Sequence, residues 1–101
     1  MQPRICVFGG INIDFFATSE LMPRPGQTVV GDSFFQTGGG KGANQAFATA
    51  RLGAWTHMIG AVGDDVFGER LINDLTEVGV DSSGIVRVPD MHTGVAMILL
   101  D

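Results

Sequence analysis

Residues 38–42 read Gly-Gly-Gly-Lys-Gly, and a helical pattern starts directly behind them. Ala43, Ala46, Phe47 and Ala50 recur at three- and four-residue spacing, which predicts a helix from Ala43 to Leu52 ended by Gly53. A glycine run opening a helix lets another group approach the backbone closely, and the first-turn N–H groups attract electron-rich oxygen. Lys41 is the only lysine in the chain and adds a positive charge there. Asn44 and Gln45 follow in the first turn, where amides that both donate and accept suit hydroxyl groups.

Three readings of this segment compete. A Walker A loop needs a hydroxyl residue after its lysine, but Gly42 follows Lys41. A dinucleotide fingerprint is matched formally by Gly38, Gly40 and Ala43. Its acidic partner, about 20 residues on, has no clean candidate, since Asp64 is further away and reads as a helix cap. The third reading is a tight turn that starts a helix and binds nothing.

The rest of the chain predicts alternating strands and helices. Arg4 to Gly10 reads as a buried apolar strand. Ile11 to Thr18 alternates, which puts Asn12 and Asp14 on one face. Pro23-Arg24-Pro25-Gly26 reads as a turn, and Thr28 to Thr37 as a second extended stretch. Trp55 to Val62 is another strand. Asp64 or Asp65 caps a helix with the stripe Phe67, Leu71, Leu75 and Val78, ended by Gly79. Gly84–Val88 and Gly94–Leu100 read as a hairpin around Pro89-Asp90-Met91-His92. The alternation implies a parallel α/β sheet, and the two hairpin-like pieces imply a separate antiparallel flap. The last strand-like run reaches the final residue, so the sheet reads as incomplete.

Composition narrows the function. The net charge is −5 with six Lys and Arg in 101 residues, and without a basic stripe nucleic acid is not an expected partner. No run of about 18 apolar residues is present, so no membrane span is expected. Met1-Gln2-Pro3-Arg4 leads into a strand and does not read as a signal peptide. Cys6 is the single cysteine, which fits a reduced, cytoplasmic setting and reads as a small buried hydrophobe. His57 and His92 have no metal-ligand companion at suitable spacing. Phe15, Phe16, Phe34 and Phe35 read as packing residues.

Five segments, in order, resemble one family. Gly39-Gly40-Lys41-Gly42-Ala43-Asn44-Gln45-Ala46 with Ala50-Arg51-Leu52-Gly53 resembles the first signature of the ribokinase-like (PfkB) carbohydrate kinases. Gly9-Gly10-Ile11-Asn12-Ile13-Asp14 resembles the first strand and its substrate-binding end, and Pro23-Arg24-Pro25-Gly26-Gln27-Thr28 the lid turn. Gly60 to Gly68 resembles the next strand–helix junction, and Thr93 to Ile98 the strand leaving the lid.

The resemblance implies the amino-terminal part of a kinase domain over residues 1–101. Its Rossmann-like core segments would lie at about 4–11 and 42–79, and its antiparallel lid segments at about 12–37 and 83–101. It implies ATP-dependent phosphorylation of a sugar hydroxymethyl group, with ribose as the first candidate sugar. By position, Asn12 and Asp14 would hold sugar hydroxyls, and Gly39, Gly40, Lys41 and Asn44 would line the same pocket. The family's second signature, which carries its catalytic base, and its ATP pocket and cation loop are not matched in this chain. No catalytic residue is therefore expected here. ATP, Mg2+ and a monovalent cation are expected only for the full-length relatives, as is a homodimer formed through the lid.

Overall fold

The computed structural model describes residues 2–101. Three parallel strands form the first sheet in the order β1 (Arg4–Phe8), β4 (Trp55–Gly63), β5 (Val80–Val88). Helix α1 (Lys41–Arg51) links the glycine segment to β4, and α2 (Val66–Glu77) links β4 to β5. Because the strand order advances in one direction and such crossovers are right-handed, both helices cover the same face. Their apolar stripes close onto Val7, Met58, Val62 and Val80 through Ala43, Ala46, Leu71 and Leu75, all buried.

This arrangement corrects the expectation of a strand buried on both faces. Side chains alternate along β1, so Ile5 and Val7 face the helices while Cys6 and Phe8 point the other way. Cys6 is exposed, not buried, and Phe8 is 83% exposed. The open face carries a stacked row instead: the Arg4 guanidinium lies 4.3 Å above the Trp55 ring, and Trp55 stacks on His57.

The second sheet runs in the order β3 (Ser33–Gly39), β2 (Asn12–Thr18), β6 (Gly94–Leu100). β3 is antiparallel to β2, whereas β6 is parallel to it, so the small sheet is mixed and not wholly antiparallel. The expected hairpin does not form. β5 pairs with β4 in the core sheet, and β6 crosses to β2 in the other sheet. The stretch 83–101 is thus divided between the two sheets. β5 and β6 are consecutive in sequence but belong to different sheets, and the Pro89–Thr93 stretch carries the chain from one to the other.

Other boundaries shift by a few residues. The second extended stretch becomes a strand only from Ser33, and it continues through Gly38 and Gly39. Val30, expected within it, is 92% exposed. α1 begins at Lys41, with Gly40 as its cap residue at φ 98°. Asp65, not Asp64, caps α2, accepting from the Gly68 N–H at 2.8 Å. The phenylalanines pack as expected: Phe16 stacks on Phe35 at 4.7 Å, and Phe15 meets Phe34 and, edge-on, Phe67 of α2. Ile13 is fully buried and carries the small sheet onto the shared core.

Candidate functional site

The site forms where β1 ends and β2 begins, against the start of α1. Two backbones meet there without side chains between them. A Cβ on Gly42 would sit 2.7 Å from the Gly9 backbone, and one on Gly9 would sit 2.9 Å from Gly42 Cα. The Ala43 N–H donates to the Gly10 carbonyl at 3.0 Å, fastening the helix start to the strand exit. Gly40 combines both demands on a glycine. Its positive φ excludes ordinary L residues, and a Cβ would lie 2.5 Å from the Gly10 carbonyl oxygen.

β2 then carries two polar side chains across this joint. Asn12 pairs with Gly39 and Asp14 with Thr37 in the antiparallel register. The Asn12 Nδ2 donates to Asp14 Oδ1 at 2.7 Å, which orients the amide and leaves the second carboxylate oxygen free of that bond. The Asp14 carboxylate lies directly over Gly39, where any Cβ would collide with it. A Cβ on Gly40 would stand 3.0 Å from Asn12 Oδ1. Asn12, Asp14, Gly39 and Gly40 are therefore brought into one contact group.

Lys41 and Asn44 occupy the first turn of α1, three residues apart and on neighbouring sides of the helix. Both are exposed. Among the described residues neither side chain is hydrogen-bonded to Asn12 or Asp14, and Lys41 makes no ion pair. The first turn of α1 holds no acidic residue and Gly40 supplies no side-chain cap, so the positive helix end is uncompensated from within the helix. A half-open groove of about 650 Å³ runs between α1 and α2, lined by Gly39, Asn44, Phe47, Leu71 and Leu75. It includes neither Asn12 nor Asp14, so it lies beside the polar group and does not coincide with it.

Reading along the sequence missed two features. Ala96 lies beside Asp14 on the opposite flank from Thr37, a juxtaposition that needs the β2–β6 pairing between segments some 80 residues apart. Asp65 was legible as a cap, but not its second role. Its Oδ2 accepts from the Thr93 N–H at 2.8 Å and its Oδ1 accepts from the Thr93 hydroxyl at 2.7 Å. The Thr93 bonds, from hydroxyl and then backbone, together with the Gly68 N–H, hold the Asp65 carboxyl below the usual carboxylate range.

Among the described residues, no three His, Cys, Asp or Glu side chains converge as a metal site. No helix is long and apolar enough to cross a membrane.

A parallel core sheet, a small mixed sheet at its edge, and a glycine joint bearing an Asn–Asp pair define a core-and-lid α/β architecture of the kind found in sugar kinases. The family model for pfkB family carbohydrate kinases matches residues 2–101, and the chain belongs to that family. It is 46% identical over 96 residues to ribokinase of Bacillus subtilis, a match covering 95% of this chain and 33% of that protein. The fold is similar to ribokinase of Cryptococcus neoformans in complex with ADP, with a TM-score of 0.83 and 40% identity over 97% of this chain and 30% of that one. It is similar also to Arabidopsis thaliana ribokinase complexed with ribose and ATP, with a TM-score of 0.87 and 32% identity over 98% of this chain and 32% of that one. The chain spans about a third of the length of the relatives it matches.

Proposed function

We propose that this chain forms the sugar-holding part of a ribokinase-like carbohydrate kinase, with ribose as its sugar. The observation that carries this reading is the contact group of Asn12, Asp14, Gly39 and Gly40. A carboxylate accepts two hydrogen bonds from adjacent hydroxyls, an amide donates and accepts, and bare glycine backbone admits a sugar ring to contact distance. Lys41 and Asn44 extend the same rim from α1. On this reading each of these groups binds or orients a polyol, and the base that takes the proton from the reacting hydroxyl belongs to the part of full-length relatives that this chain does not match.

On this reading the residues here hold the acceptor sugar. ATP, Mg2+ and a monovalent cation are bound by the parts of full-length relatives that this chain does not match. Phosphoryl transfer depends on positioning and on neutralising the γ-phosphate, so the 101-residue chain alone turns over no ATP at a measurable rate. Cytoplasmic residence follows from the same reading.

The test is a thermal melt with and without millimolar D-ribose, in the absence of ATP. A ligand that binds only the folded state raises Tm, so ribose should raise it in the unaltered chain and not in Asp14→Ala. A cooperative melt indifferent to ribose, or an equal shift in Asp14→Ala, would sink the reading.

A second reading is favoured by the face of the small sheet that carries Ile13 and Phe15, where it runs on beyond the core. Phe34, Val95, Met97 and Leu99 share one face by register and are all exposed, which suits pairing between two copies through the lid. Sedimentation that stays monomeric from micromolar to hundred-micromolar chain would exclude it.

A further inference from the structure

Thr93 is 1% exposed, one of two buried polar residues among those described. It stands where the chain leaves the Pro89–His92 crossing and enters β6. Its hydroxyl donates to Asp65 Oδ1 at 2.7 Å and accepts from the Gly63 N–H at 3.1 Å. Its own N–H donates to Asp65 Oδ2 at 2.8 Å. Asp65 Oδ1 also accepts from the Gly68 N–H at 2.8 Å. One carboxylate and one hydroxyl thus join the last residue of β4, the first turn of α2 and the first step of the small sheet.

The surroundings leave this joint no slack. A Cβ on Gly63 would run into the His92–Thr93 backbone, and one on Gly68 would stand 3.1 Å from Thr93 Oγ1. The Asp64 N–H donates to the Met91 carbonyl at 3.1 Å, a parallel tie one residue along. Gly94, next to Thr93, is the register partner of Asn12. A Cβ on Gly94 would lie 3.5 Å from Asn12 Cβ, and Asn12 is bonded to Asp14. From the Asp65 carboxylate to the Asp14 carboxylate the path is therefore Thr93, Gly94, Asn12, each in contact with the next.

We infer that Asp65 and Thr93 form a latch between the core and the small sheet, and that this latch sets where Asn12 and Asp14 stand over the glycine joint. Both are positioning residues; neither need touch a sugar. The sugar-related consequence rests on the function proposed above, but the latch itself does not. A bond to an ionised carboxylate is stronger than a neutral one, and a buried N–H stripped of its acceptor is costly. Removing the Thr93 hydroxyl does both at one point, weakening the Asp65 contact and orphaning the Gly63 N–H.

The test is native-state hydrogen exchange on the 101-residue chain without sugar, comparing the unaltered protein with Thr93→Val, Thr93→Ser and Asp65→Asn. Thr93→Val keeps the side-chain shape and loses the hydroxyl; Thr93→Ser keeps the hydroxyl. Thr93→Val and Asp65→Asn should speed amide exchange in residues 12–18 and 94–100 by about 10- to 100-fold, while β1, β4 and α1 keep their rates. Thr93→Ser should return both segments close to the unaltered rates. Exchange that rises equally in both sheets would show a contribution to overall stability only and would overturn the latch. So would unchanged rates at 12–18 and 94–100, or a lack of protection there in the unaltered chain. Because no sugar is present, the ribose melt and this experiment fail independently.

Discussion

Gly40 shows how much a single position contributes to the site. Its φ of 98° and the nearness of the Gly10 carbonyl are two separate obstacles to any side chain. Gly53 has nearly the same φ, 97°, but open space around its Cα. The pair therefore separates backbone strain from close approach. Gly53→Ala should cost about 1 kcal/mol, as expected for strained φ alone, whereas Gly40→Ala should cost about 3 kcal/mol or more. Denaturant titration of both variants measures the difference, and equal losses would mean that the two backbones do not touch at Gly40. That Asn12 and Asp14 share one face was legible from period-two alternation. Their mutual 2.7 Å bond was not, because alternation places two side chains on one face without saying which rotamers they adopt.

Among the elements, α2 is packed on the core through Leu71 and Leu75 and tied to the small sheet through its cap. Asp65 is the kind of residue that sequence reading finds easily, since Asp before an apolar stripe is a strong helix start. The sequence alone left Asp64 and Asp65 equivalent; the tertiary bonds from Thr93 select Asp65. A pH dependence follows. The carboxyl of Asp65 is depressed in the folded chain, by Thr93 first and by Gly68 after it. Its stabilising contribution is fully present above the unfolded value of about 3.9 and is lost as pH falls through the lower folded value. The Tm gap between the unaltered chain and Asp65→Asn should hold steady from pH 7 to about 5, then narrow below about pH 4. A gap that stays constant down to pH 2.5 would show that the ionised carboxylate is not what holds the cap. The β5–β6 pairing was misread at this same scale. Two strand-like runs with a five-residue gap look like a hairpin, and only their partners β4 and β2 show otherwise.

The whole molecule is elongated, measuring 54 × 32 × 18 Å with a radius of gyration of 16.0 Å. A compact chain of this length would have a radius near 13 Å. Two sheets set side by side, one of them covered on a single face, account for the excess. Ile13 belongs to the small sheet but is buried in the common core, so it couples the two. Ile13→Ala should cost about 2–5 kcal/mol and leave one cooperative transition at lower temperature. Two resolved transitions would mean that the sheets fold separately.

The sequence by itself determined the local features: the glycine joint before α1, the apolar stripes of both helices, the strand alternation that pairs Asn12 with Asp14, and the family. These depend on spacings of two to four residues, which backbone geometry converts directly into faces and turns. The tertiary structure alone decided that β6 lies parallel to β2, that Cys6 and Phe8 face outward, and that Asp65 closes on Thr93. Each of these depends on which distant segment arrives alongside. The backbone hydrogen bonds of a ladder are the same whichever segments pair, so partners are chosen by side-chain packing and burial across the sheet, which only the whole chain supplies.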